Sequence, residues 1–317
     1  MAACTLVAAA VIPADLLAAV KWAKAGSKFT GFLASFAVFG ALGFRLVRLR
    51  MQDWLRSMES DAARVTGPAF QRVDRRAATI GETGACLLLV EFAAIVWRNM
   101  AASRGGRFAL VQLAEPEDYA QLILAPGLII AFWFAIKGRR GGWQAALVLG
   151  GALAIRHLVT GRWQALVNPV HGAAAALWLG TLFVIVVAAL PVIMQEPVTR
   201  ASRGPLVAGL VARFSPLALF SAGLVGLSGL LASWLHLKYF AALWTTPYGR
   251  VLIIKLVFVA CIVAMGALNW RRVLPKLGTV EAAGMLRRAS QWELVFTLIV
   301  LVVTAVLVCM PSPKLPM

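Results

Sequence analysis

Apolar side chains run along this chain in blocks of about twenty residues, separated by short stretches rich in Lys, Arg, Gly and Pro. Twenty residues of α-helix rise about 30 Å, the thickness of the hydrocarbon layer of a bilayer. Such blocks fall at about 4–20, 29–47, 79–97, 119–136, 143–160, 170–193, 214–236, 251–270 and 291–310. The pattern predicts an all-α, polytopic transmembrane bundle of eight or nine helices. The first block holds Pro13 and Asp15 and lacks the basic n-region and A-x-A site of a cleaved signal peptide, so it is expected to span. The chain then divides into an N-terminal hydrophobic segment at 1–28, a first half at 29–169 and a core of four helices at 170–317.

Composition agrees with the pattern. Of 317 residues, 61% are apolar and 14% charged, against roughly 45–50% and about 25% in soluble domains. A soluble enzyme, a disordered tail and a secreted disulfide scaffold are thereby excluded. The net charge of +18 does not point to nucleic acid, because Lys and Arg cluster in loops on one side. The loops 45–78, 137–142, 194–213 and 271–290 hold 19 of them, and the opposite loops and termini hold 10. That imbalance predicts that the first set is cytoplasmic and that the C-terminus lies on the opposite side. The segment 48–77 is the one long cytoplasmic stretch, and its run Arg48–Arg56 predicts a short basic helix on the membrane surface, with an extension of the preceding helix as the alternative. Cys4, Cys86, Cys261 and Cys309 are scattered through apolar segments, without the spacing of a zinc cluster or a disulfide framework.

Polar chemistry is scarce and therefore informative. The only histidines are His157, His171 and His236. His157 ends the fifth predicted span and His171 begins the sixth, with a short loop between them, so the two imidazoles fall at nearly the same depth. His236 ends the seventh span. Neutral imidazole is a good ligand for copper and zinc, and a shared ion requires His157 and His171 to lie within about 8 Å. His171, Ala174, Ala175 and Trp178 share one helix face. Cys261, Met265 and Asn269 form a second stripe whose soft donors suit Cu(I), and Cys309 and Met310 lie at the end of the last span. Glu91 is the deepest intramembrane charge and needs a buried partner or a proton-coupling role. Lys255, a turn into its own span, is one conceivable partner. P-loop, H-E-x-x-H and G-x-S-x-G motifs are absent, so no enzyme activity is predicted.

Several of these residues fall in a familiar order. His171-Gly172, Trp178-Leu179-Gly180, Arg213-Phe214-Ser215, Thr246-Pro247-Tyr248-Gly249-Arg250 with Lys255, Asn269-Trp270-Arg271 and Glu293 resemble the motifs of the copper resistance protein D (CopD) family. The resemblance implies an inner-membrane bundle of about eight helices that moves copper ions between periplasm and cytoplasm, supplied by a small periplasmic CopC-like copper carrier. It assigns His171 to the family's histidine before the Trp-x-Gly motif and places His157 where relatives often carry a Gly-His pair. The family's first-helix histidine has no counterpart between 21 and 47, and no Met-rich external loop is present. The expectation is a copper transport protein that takes the ion at the periplasmic face through His157 and His171, with His236 as a third ligand. A single-haem b-type electron carrier and a non-transporting assembly factor for a copper oxidase are the alternatives.

Overall fold

The computed structural model describes residues 2–17, 20–56, 60–102, 116–139, 141–156, 164–195, 198, 200–237, 239–272 and 279–311. The helices are α1 (Ala2–Val11), α2 (Ala14–Leu17), α3 (Trp22–Arg56), α4 (Ser60–Ala102), α5 (Pro116–Ile136), α6 (Gly142–Ile155) and α7 (Gln164–Val184). They continue with α8 (Leu190–Ile193), α9 (Arg200–Leu237), α10 (Ala242–Thr245), α11 (Pro247–Arg272) and α12 (Val280–Leu307). Among the described residues, seven stretches, lying in α3, α4, α5, α7–α8, α9, α11 and α12, are long and apolar enough to cross a membrane. The chain is an all-α, multi-pass membrane protein.

The first apolar block, expected to span as one helix, is broken. Pro13 disfavours helical geometry at the residue before it, and α1 ends at Val11. Ten residues reach only about 15 Å, half of the hydrocarbon layer. Instead α1 packs against α12 and buries Cys4, Ala8 and Ile12. Of the fifth block the structure describes the helix Gly142–Ile155 and its cap Arg156, and residues 157–160 lie outside the described residues.

The basic run Arg48–Arg56 is not a separate surface helix. It is the last part of α3, which continues past the apolar stretch and packs along α4. Arg48 is only 6% exposed, with its guanidinium 4.1 Å from the Phe70 ring centroid and its Nε 3.5 Å from Asp74. Arg45 reaches the same carboxylate at 3.9 Å. Trp54 lies under the Arg213 guanidinium, 4.5 Å from ring centroid to carbon. Aromatic faces and one aspartate bury cations that periodicity alone assigned to solvent.

α3 is the hub, packing on α4, α7, α9 and α12. Its closest approach is to α7, where a Cβ on Gly40 would stand 2.5 Å from the Gly180 carbonyl oxygen. Near its far end α7 relaxes into a π turn, Ile185–Ala189, before Pro191 in α8. The wider turn accommodates a proline ring that would otherwise strike the carbonyl four residues back. α9 and α11 carry the exposed apolar face, including Leu219, Phe220, Leu227, Leu230, Leu256 and Val257, as helices facing lipid do.

Topology sorts the chemistry by end. The basic stretches that close α3 and α5 and open α9 gather at one end of the bundle, with Arg45 over Trp143 and Arg213 over Trp54. The starts of α7 and α11 and the ends of α9 and α12 lie at the other, and His171 and His236 lie toward it.

Candidate metal centre

His171 sits two turns into α7, on the side that faces α9. Its Nδ1 lies 3.1 Å from the Val225 carbonyl oxygen and 3.2 Å from the Ser228 hydroxyl oxygen. A carbonyl can only accept, so Nδ1 carries the hydrogen and donates. The Ser228 hydroxyl donates to the Leu224 carbonyl, which leaves its oxygen free to accept from the imidazole as well. Gly229 makes room, since a Cβ there would stand 3.0 Å from the His171 Cε1. A ring held in this tautomer presents the Nε2 lone pair, the arrangement by which metal-binding histidines are commonly oriented.

His236 repeats the device one layer further out. Its Nδ1 lies 2.7 Å from the Ala232 carbonyl oxygen, which again fixes the hydrogen on Nδ1 and leaves Nε2 as donor. The ring runs parallel to Tyr248 of α11, with centroids 6.3 Å apart and 7° between planes. His236 is seven residues beyond Gly229 on α9, two turns along nearly the same stripe, or about 10 Å. His171 packs against this stripe of α9 at Val225, Ser228 and Gly229, and His236 lies on it two turns further along. His157 lies outside the described residues.

The remaining polar groups find partners that spacing could not identify. Lys255 of α11 acts electrostatically on the His171 ring. Glu91 accepts a hydrogen bond of 3.3 Å from Gln121 of α5, which also donates to the Leu88 carbonyl at 3.0 Å. Gly31 of α3 lies against that carboxylate so tightly that any Cβ would overlap it. Further toward the basic end, Asn269 of α11 donates to the Glu293 carboxylate of α12, which is 7% exposed. Cys261 and Met265 are half-buried on α11. Among the described residues, no three His, Cys, Asp or Glu side chains cluster as a ready metal cage. Ser228 and the Val225 carbonyl are the participants that sequence reasoning missed, and Tyr248 entered it only within a family motif. A serine eight residues before a histidine was the one available signal, and it is common by chance.

Residues 208–307 match the sequence family described as copper resistance protein D. That segment holds His236, Lys255, Asn269 and Glu293 and leaves His171 outside it. The chain is 26% identical over 184 residues to the protein named copper transport protein CutJ of Bacillus subtilis (strain 168). The alignment covers 56% of this chain and 32% of that protein, so the chain spans about a third of the length of the curated relative it matches. No solved structure matches the chain.

Proposed function

We propose that this protein moves copper ions across a bacterial inner membrane, taking them at the end of the bundle where His236 and His171 lie. The observation that carries the reading is the pair of fixed tautomers. Two histidines on one stripe each donate Nδ1–H to a backbone carbonyl and present Nε2. The match to the copper resistance protein D family and the likeness to a protein named for copper transport supply the identity of the ion.

In this reading His236 and His171 are successive stations about two helical turns apart, and His157 is a further ligand at the His171 station. An ion held by one or two neutral nitrogens is bound loosely enough to leave, which transport requires. Beyond His171 the ion continues along α11 past Cys261 and Met265, whose sulfur atoms suit Cu(I). The end carrying His236 faces the periplasm, with a CopC-like carrier as donor, and the basic end faces the cytoplasm.

The test is copper uptake into proteoliposomes holding the full chain, comparing wild type with His157→Ala, His171→Ala and His236→Ala. Loss of a station should lower the uptake rate at least tenfold in His171→Ala and His236→Ala, with protein yield and helicity unchanged. Wild-type uptake in both variants would retire the histidine path. A Soret band in the purified protein would instead favour the haem alternative.

A further inference from the structure

The first and last described helices meet. α1 packs against α12, and Cys4 and Met310 are buried in one cluster with Leu237, Val251, Val306 and Leu307. Cys309 packs against that cluster half-buried. No disulfide joins the two cysteines, and the Cys309 thiol is close enough to Cys4 to act on it electrostatically. Lys24, Lys28 and Arg98 act on Cys309 in the same way, setting positive charge about the cluster. Leu237 is the residue after His236, and Tyr248, the ring parallel to His236, packs against the same cluster.

Two thiols and a thioether in an apolar wall are a poor site for a hard ion and a good one for a soft d10 ion. Charge narrows the choice. Two thiolates around a monovalent ion leave one net negative charge, which the neighbouring lysines and arginine balance, whereas a divalent ion would leave none. We propose that Cys4, Cys309 and Met310 form a second, all-sulfur site for a soft monovalent metal ion, with Cu(I) as the probe, beside the His236 station. Binding breaks two S–H bonds and forms two S–Cu bonds, the two protons leave to water, and nothing is oxidised or reduced.

The site stands independently of the histidine path, and the experiment separates them. The full chain in lipid nanodiscs, reduced and anaerobic, is titrated with Cu(I) against a chromophoric competitor, as wild type, as the double variant Cys4→Ser with Cys309→Ser, and as His171→Ala. The expected result is one Cu(I) fewer in the double variant, with loss of the sulfur-to-copper absorption, while His171→Ala keeps that absorption. Met310→Leu should weaken the site about tenfold. Equal stoichiometry and spectrum in wild type and double variant would overturn the proposal. So would a Cys4–Cys309 disulfide in protein alkylated in intact membranes, since oxidised sulfur cannot supply the two thiolates.

Discussion

The crossing of α3 and α7 offers the sharpest test of the packing. An alanine at Gly40 would place its Cβ 2.5 Å from the Gly180 carbonyl oxygen, short of ordinary 3.4 Å contact by about 0.9 Å. An alanine at Gly180 would strike the Phe36 carbonyl oxygen and stand 3.0 Å from the Gly40 Cα. Neither obstacle is a side chain that can swing away, so the helices must part. In membranes such close backbone approach is what small residues provide, and forcing it open forfeits contacts along both helices. Each single substitution is expected to cost about 1–3 kcal/mol, the usual range for overpacking. The two costs should not add, because a crossing opened by one Cβ already holds much of the space for the other. A shortfall of about 0.5–3 kcal/mol in the double variant is expected for positions in direct contact. The assay is unfolding by SDS titration in mixed micelles, followed by tryptophan fluorescence, for wild type, Gly40→Ala, Gly180→Ala and the double variant. Wild-type stability in either single variant, or strict additivity in the double, would show that the backbones do not touch as described.

Three further outcomes are expected. Ser228→Ala removes one of two acceptors on the His171 Nδ1–H and leaves the Val225 carbonyl, so copper affinity at that station should fall by about tenfold, the low end for an orienting partner, read by competition titration. Asp74→Ala leaves Arg45 and Arg48 facing each other with no carboxylate and should cost about 3 kcal/mol, whereas Arg48→Met should cost less because Asp74 keeps Arg45; SDS titration ranks the two. Asn269→Leu strips the Glu293 carboxylate of its amide donor and should cost about 1–3 kcal/mol, and adding Glu293→Gln should recover most of it, since a neutral amide is cheaper to leave in that wall.

The sequence determined the class of the fold, because a helix must cover about 30 Å of hydrocarbon with apolar side chains and that demand is written in consecutive residues. It also determined which end of the bundle is basic, since loop charge is local. It singled out His157, His171 and His236 as metal-binding candidates, because a polar side chain in so apolar a chain is conspicuous wherever it falls. What it could not supply was any relation between residues on different helices. Periodicity turned Arg48 outward, yet Asp74 and Phe70 on the neighbouring helix hold it inside. Spacing could not pair Glu91 with Lys255 or any other residue; Gln121 bonds its carboxylate, and Lys255 acts on His171. The tautomer of His171 depends on the Val225 carbonyl, a backbone atom that every residue type provides and no pattern marks. Cys4 and Cys309 fall in one cluster because α1, which ends before Pro13, packs along α12. Solvent selects side chains one position at a time and leaves its record in the order of residues; contacts between helices depend on how whole surfaces fit, and only the folded bundle holds that information.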